Sequence, residues 1–258
     1  MSRDNPFSLA GRTALVAGAS RGIGLAIAQA MARAGARVIL AARTRSALVR
    51  AADALIAEGF QAEAATLDIQ EPKTVDALAA RFPETDILVN VSGANLRKPA
   101  ESYTENDYDF LMATNLKGIF RLSQGVGKNM IARGHGKIIN IGSLTSIIGL
   151  PFISIYAMTK SGMAGMTRGL AAEWGRYNIQ VNCIAPGFIL TDFNREMWAT
   201  DEMKKWLEGA QAMPRMGGVE DVAPLAVFLA SPGSDYITGQ VIAVDGGYST
   251  TASWPFQP

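Results

Sequence analysis

Residues 13–34 constrain the fold of this chain more than any other stretch. Residues 13–17 form an apolar run of strand type and residues 25–34 have helical periodicity, while Gly18, Gly22 and Gly24 punctuate the short link between them. A strand that passes through a glycine loop straight into a helix is the opening unit of a parallel sheet. The glycines would let the backbone turn tightly and approach a pyrophosphate, which the free N–H groups and dipole of the helix amino terminus then stabilise. Their spacing departs from the common Gly-x-Gly-x-x-Gly pattern, so a turn that needs glycine for geometry alone is the competing reading.

The alternation continues to residue 244. Strand-like runs at 37–42, 61–67, 86–91, 137–141, 179–185 and 241–244 are separated by helical patterns at 46–58, 72–82 and 108–132, by a helix that Tyr156 opens, and by one at 219–230. A single α/β domain over residues 1–258 is expected, with a doubly wound (Rossmann) parallel sheet of about seven strands and helices on both faces. Residues 188–218 break the rhythm. They mix Met197, Trp198, Trp206, Met213 and Met216 with charges and show no strand pattern. Such a segment is either a lid over a substrate or a surface helical hairpin with apolar inner faces.

Composition narrows the function. Hydrophobic residues are 48%, charged residues 18% and the formal net charge is +1, so the chain lacks the basic field that nucleic acid or an anionic membrane requires. No apolar run reaches the length of a membrane span, and residues 1–10 are polar with Pro6 and carry no signal-like core, which makes a cytoplasmic protein the expectation. With one histidine, His135, and one cysteine, Cys183, disulfides and cysteine-rich metal sites are excluded, and no metal centre is expected. His135 reads as a loop residue and Cys183 as core filler.

Candidate chemistry gathers at the carboxyl ends of the strands, where open α/β sheets bind their ligands. Ser143 follows the strand at 137–141. Tyr156 and Lys160 are four residues apart on one helical face. A free phenol titrates near pKa ~10, and a cation beside it favours the phenolate, so a tyrosine paired this way can protonate a carbonyl oxygen or deprotonate an alcohol. Ser143 would hydrogen-bond the same oxygen. Asn115, inside a long helix, is either a core hydrogen-bonding residue or the holder of a water beside Lys160. The second strand ends at Ala42 and Arg43 with no carboxylate for ribose hydroxyls, and Arg21 lies in the glycine loop. Two guanidiniums converging on a 2′-phosphate favour NADP(H) over NAD(H), the alternative being that Arg43 is a solvated neighbour of a helix cap. Asp68, at the end of the third strand, is either an acceptor for an adenine amino group or a turn residue.

In their order and spacing, the glycine loop, Asn115, Ser143, Tyr156, Lys160 and the Pro186–Gly187 turn resemble the short-chain dehydrogenase/reductase family over about residues 10–250. The resemblance implies NADP-dependent hydride transfer between a nicotinamide cofactor and a ketone or secondary alcohol. It implies that Tyr156 is the acid/base, Ser143 the carbonyl orienter, Lys160 the tuner of Tyr156 and ligand of the nicotinamide ribose, and Asn115 the holder of a relay water. Cofactor contacts are expected along the loop at Gly18, Ser20, Arg21, Gly22, Ile23 and Gly24, then at Arg43, Asp68 and Ile69, at Asn90 and Gly93, and at Pro186, Gly187, Ile189 and Thr191, with Tyr156 and Lys160 shared. Two positions depart from the family pattern: Ala17 stands where a threonine is usual, and residues 90–93 keep only Asn90 and Gly93 of the Asn-Asn-Ala-Gly motif.

Residues 94–99 and the region around Trp206 and Met213 look most like gluconate 5-dehydrogenases and their sugar-acid relatives, which implies a substrate such as 5-ketogluconate. Arg97 and Lys98 would then pair with its carboxylate, or else are exposed loop charges. The tryptophans and methionines of residues 188–218 point instead to a bulky or apolar ketone. The alternatives are a 3-oxoacyl carrier-protein reductase or broad carbonyl reductase, for which Arg97, Lys98 and Arg195 would form a basic pocket mouth, and a non-catalytic NADP-binding sensor. The family resemblance also implies a homotetramer packed through helices at 108–132 and 156–174. The tail at 249–258, carrying Trp254 and Phe256, is expected to be docked.

Overall fold

The computed structural model describes residues 5–191, 194–198 and 200–251. Seven parallel strands form one sheet in the order β3-β2-β1-β4-β5-β6-β7. They are β1 (Thr13–Ala17), β2 (Arg37–Ala42), β3 (Ala62–Thr66), β4 (Ile87–Asn90), β5 (Gly136–Ile141), β6 (Ile179–Pro186) and β7 (Val241–Val244). All residues of β1, β4 and β6 are buried, as expected of strands covered on both faces. Alternate side chains of β1 divide between two cores. Ala14 and Val16 pack under α1 (Gly22–Arg33), α2 (Arg45–Ala57) and α9 (Val219–Ala230). Leu15 and Ala17 pack under α3 (Pro72–Arg81), α5 (Gly118–Arg133) and α6 (Ser154–Trp174).

The chain runs outward from β1 to β3, then returns to start β4 on the other side of β1. That reversal opens a crevice at the carboxyl ends of β1 and β4. Its floor is backbone: the N–H groups of Val91 and Ser92 both donate to the Ala17 carbonyl, at 2.8 and 2.9 Å, and those of Gly18 and Ala19 to the Ala41 carbonyl, at 2.7 and 3.2 Å.

Some boundaries differ from the sequence expectation for identifiable reasons. The first helix starts at Gly22, so two of the loop glycines belong to its first turn. The helix expected at 108–132 begins earlier, as α4 (Glu105–Met112), because Thr104 and Asp107 form a reciprocal capping box. A π-helical turn at Ala113–Lys117 then separates α4 from α5 and carries Asn115. Among the described residues of 188–218 are two helices, α7 (Arg195–Trp198) and α8 (Asp201–Ala210). No described helix is long and apolar enough to cross a membrane. Trp254 and Phe256 of the tail lie outside the described residues.

Candidate active site

The glycine loop leaves no room for side chains where it meets the sheet. Gly18 has φ +100°, and a Cβ there would lie 2.7 Å from the Ser92 amide nitrogen; a Cβ at Gly24 would run into the Gly18 carbonyl oxygen. Gly22 is also left-handed, at φ +55°. No side chain caps α1, and its first turn holds no acidic residue, so the helix N–H groups and dipole are open to an anion. Arg21 is the exposed N-cap residue of this helix, Arg43 is exposed just past β2, Ser20 and Ile23 are half-buried between them, and Thr44 caps α2 without a side-chain bond. Asp68 accepts the Gln70 N–H at 3.1 Å in a turn of its own, and the neighbouring Ile69 is buried, its carbonyl pressed against Gly118.

Asn90 is placed differently. Its side chain is buried and donates to Ser123 Oγ at 3.0 Å and to Asn140 Oδ1 at 2.8 Å, while its own Oδ1 has no partner among the described residues. The amide thus points into the interior, leaving residues 91–93 to face the crevice.

Beside the crevice the candidate catalytic groups are linked through a short network. The Lys160 ammonium, 3% exposed, donates to the Ile141 carbonyl at 2.7 Å and stands 5.7 Å from the centroid of the Tyr156 ring. Tyr156 and Ser143 are half-buried. Ser146 bridges the two segments: its hydroxyl accepts the Ser143 N–H at 3.2 Å and donates to the Lys160 carbonyl at 2.9 Å. Asn115 is fully buried. Its carboxamide accepts the Ala94 N–H at 2.7 Å, donates to the Ala94 carbonyl at 2.8 Å and to Thr159 Oγ1 at 3.2 Å, and Thr159 in turn donates to the Tyr156 carbonyl at 2.7 Å. The Asn115 side chain therefore splints the chain after Gly93 against the Tyr156 helix. A Cβ at Gly93 would sit 3.5 Å from Asn115 Oδ1 and 3.7 Å from Lys160 Nζ, in the space between them.

Thr159 and the Ile141 carbonyl escaped the sequence reading. A threonine that bonds back to the carbonyl three residues earlier is a known habit in helices and was legible in principle; a main-chain acceptor has no sequence signal at all.

Lys98 does not stand as a free cation. It pairs with Asp107 at 2.6 Å, and this contact, with the backbone and hydroxyl of Thr104, holds the Asp107 carboxyl down at about 2. Arg97 is exposed. The lone histidine lies at the opposite end of the sheet, with Nε2 3.0 Å from Asp86 Oδ1, and Cys183 is in the core, where burial pushes its thiol up to about 11.

Residues 188–218 begin and end at the same place. Beyond Pro186, buried at the end of β6, Gly187 lies so close to the Asp245 turn that a Cβ would come within 2.6 Å of the Asp245 Cα. Buried Ile189 then pairs with Gly217, the Leu190 N–H donates to the Gly217 carbonyl at 2.7 Å and the Gly217 N–H to the Phe188 carbonyl at 3.0 Å. Arg215 grips Asp221 through two bonds, of 2.7 and 2.8 Å, which holds that carboxyl well below its usual range. Phe188, Trp198, Trp206 and Tyr248 pack on one another, with centroid separations from 4.9 to 6.1 Å. The Thr191 methyl lies 3.5 Å from the position of a Cβ on Gly22, so this segment reaches the glycine loop.

Residues 18–249 match the family model described as enoyl-(acyl carrier protein) reductase. Gluconate 5-dehydrogenase of Gluconobacter oxydans (strain 621H) is 40% identical over 255 residues, 97% of this chain and 100% of that protein. The 2-dehydro-3-deoxy-D-gluconate 5-dehydrogenase of Bacillus subtilis (strain 168) is 41% identical over 247 residues, 94% of this chain and 96% of that one. The crystal structure of a gluconate 5-dehydrogenase from Burkholderia cenocepacia J2315 in complex with NADP and tartrate superposes with a TM-score of 0.92 at 39% identity, covering 96% of this chain and 98% of that chain.

Proposed function

Since the chain belongs to the short-chain dehydrogenase/reductase family, we propose that it is an NADP-dependent oxidoreductase acting on a ketone or secondary alcohol of the sugar-acid class, with 5-ketogluconate the first compound to test. The observation that carries the reading is the buried Lys160 ammonium, held on the Ile141 carbonyl beside the Tyr156 ring at the carboxyl end of β5.

The crevice suits the cofactor. The uncapped amino terminus of α1 and the backbone of Gly18 and Gly22 would hold the pyrophosphate, and Arg21 and Arg43 the 2′-phosphate. Asp68 retains a carboxylate oxygen for the adenine, Gly93 and Lys160 would hold the nicotinamide ribose, and Gly187 and Thr191 the nicotinamide end. NADPH, when bound, supplies the hydride. The protein then manages the carbonyl oxygen: Ser143 Oγ holds it by a hydrogen bond, Tyr156 Oη gives it a proton in reduction and takes one in oxidation, and the Lys160 ammonium stabilises the negative charge that develops on the phenol oxygen. Asn115 keeps the Gly93–Ala94 backbone and the Tyr156 helix in register.

Residues 188–218 act as the lid, their ends closed by the Ile189–Gly217 bridge. The lid aromatics pack on one another, which favours a polar substrate over a bulky apolar ketone. Arg97, exposed on the loop that follows Gly93, is the candidate partner for the substrate carboxylate. Similarity to two dehydrogenases of gluconate-type substrates supports the same class. The reading includes a cytoplasmic location, where NADPH is available, and a homotetramer. Phe110, Phe120 and Met158 are 38, 46 and 51% exposed on α4, α5 and α6, which supports burial of those helices between subunits; light scattering on the purified protein tests it.

Initial rates with NADPH and NADH on 5-ketogluconate, a 3-oxoacyl thioester and an aryl ketone test the assignment. The highest kcat/KM is expected for the sugar acid with NADPH. Turnover confined to the thioester or the aryl ketone would overturn it.

A further inference from the structure

Two loops leave the catalytic network and meet again away from it. One, residues 94–99, follows Gly93 and carries Arg97; the other, residues 147–153, connects the Ser143 turn to the helix that bears Tyr156. Their meeting point is one atom. The Phe152 carbonyl accepts the Lys98 N–H at 2.9 Å and lies 3.1 Å from the Tyr103 hydroxyl, which also lies 2.6 Å from the Leu96 carbonyl. The residue so gripped is strained. Phe152 has φ +64°, one of two non-glycine residues with positive φ in the described chain, and its side chain is 61% exposed. A bulky residue keeps this conformation only where its surroundings enforce it, and such strain clusters where a ligand is held. A phenol has one hydrogen to give, so Tyr103 donates mainly to the nearer Leu96 carbonyl and shares that hydrogen with the Phe152 carbonyl, which links the loops.

We propose that Tyr103 is a positioning residue for the substrate, its hydroxyl clasping the 94–99 loop to the 147–153 loop so that Arg97 and Phe152 are held in fixed relation around the part of the substrate remote from the reacting carbon. This rests on the sugar-acid reading for the identity of that remote part, a polyhydroxylated chain ending in a carboxylate. The clasp does not position the reacting groups. Tyr156 and Lys160 are fixed by their own helix, by Thr159 and by the Ile141 carbonyl. Loss of the hydroxyl therefore removes binding common to ground and transition states, which raises KM and leaves kcat in place.

The test is Tyr103→Phe, compared with the wild-type enzyme for kcat and KM on 5-ketogluconate, NADPH affinity and thermal midpoint. A clasp worth one neutral hydrogen bond corresponds to a rise in substrate KM of roughly three- to tenfold, with kcat and NADPH affinity unchanged and the midpoint lowered only slightly. An unchanged KM overturns the proposal. So does a parallel loss of substrate affinity, NADPH affinity and midpoint, which marks a purely structural tyrosine. The wild-type rates decide the sugar-acid reading separately: if the wild-type enzyme turns over only an apolar ketone, the same ratio of KM values on that ketone decides the clasp.

Discussion

The glycine loop and the 188–218 segment face each other across the crevice, and they are constrained in different ways. Around Gly18 the restraint is backbone against backbone: the Ala17 and Ala41 carbonyls are occupied, and an added methyl would press on the Ser92 amide. In the 188–218 segment the backbone bridge ties only the two ends, and between them the restraint is side chain against side chain, through Phe188, Trp198 and Trp206 packed with Tyr248 and through the Arg215–Asp221 fork, while Trp206 remains 40% exposed. Backbone donors and a helix dipole recognise what every dinucleotide shares. In the proposed lid, exchangeable side chains would decide which ketone is admitted. Cofactor binding and substrate choice should therefore fail independently.

The largest effect is expected at Gly18. In Gly18→Ala the left-handed backbone costs about 1–3 kcal/mol and the close contact about as much again, so NADPH affinity should fall roughly 100-fold or more in a fluorescence titration. Arg43→Asp should next reverse the preference between NADPH and NADH, raising KM for NADPH roughly 10- to 100-fold, as expected for a lost charged contact to phosphate, with little change for NADH. An unchanged preference would remove Arg43 from the 2′-phosphate site. On the other side, Trp206→Ala removes three ring contacts of about 0.5–1.5 kcal/mol each. It should raise substrate KM several-fold while NADPH affinity holds; a loss of both would show that the two regions are not separable.

The smallest effect is a pH dependence at the edge of the substrate side. The Asp107 carboxyl is lowered from 3.8 to about 2, chiefly by Lys98. A depressed carboxylate contributes stability that is complete above its unfolded pKa and is lost as pH falls through the folded one. The thermal midpoint should thus drop between pH 3.8 and about 2, and Asp107→Asn should lack that component of the drop.

Much of the sheet was legible because parallel strands buried on both faces read as short apolar runs, and 219–230 and 241–244 coincide with the observed α9 and β7. The π-helical turn at Ala113–Lys117 was not, since a single widened turn has no residue preference that marks it in a sequence. Lys98 shows the limit for charges. Its sequence neighbours suggest a free cation, whereas its partner is fixed by where α4 begins. The inward turn of Asn90 is equally non-local, set by Ser123 on α5 and Asn140 on the adjacent strand.

The most direct measurement is the rate of hydride transfer in a single turnover by Tyr156→Phe, with NADPH affinity measured on the same preparation. The account predicts a fall of about 10²–10⁴-fold in the rate, the usual worth of a positioned acid/base, with NADPH affinity unchanged. Near-normal transfer by the variant would contradict it.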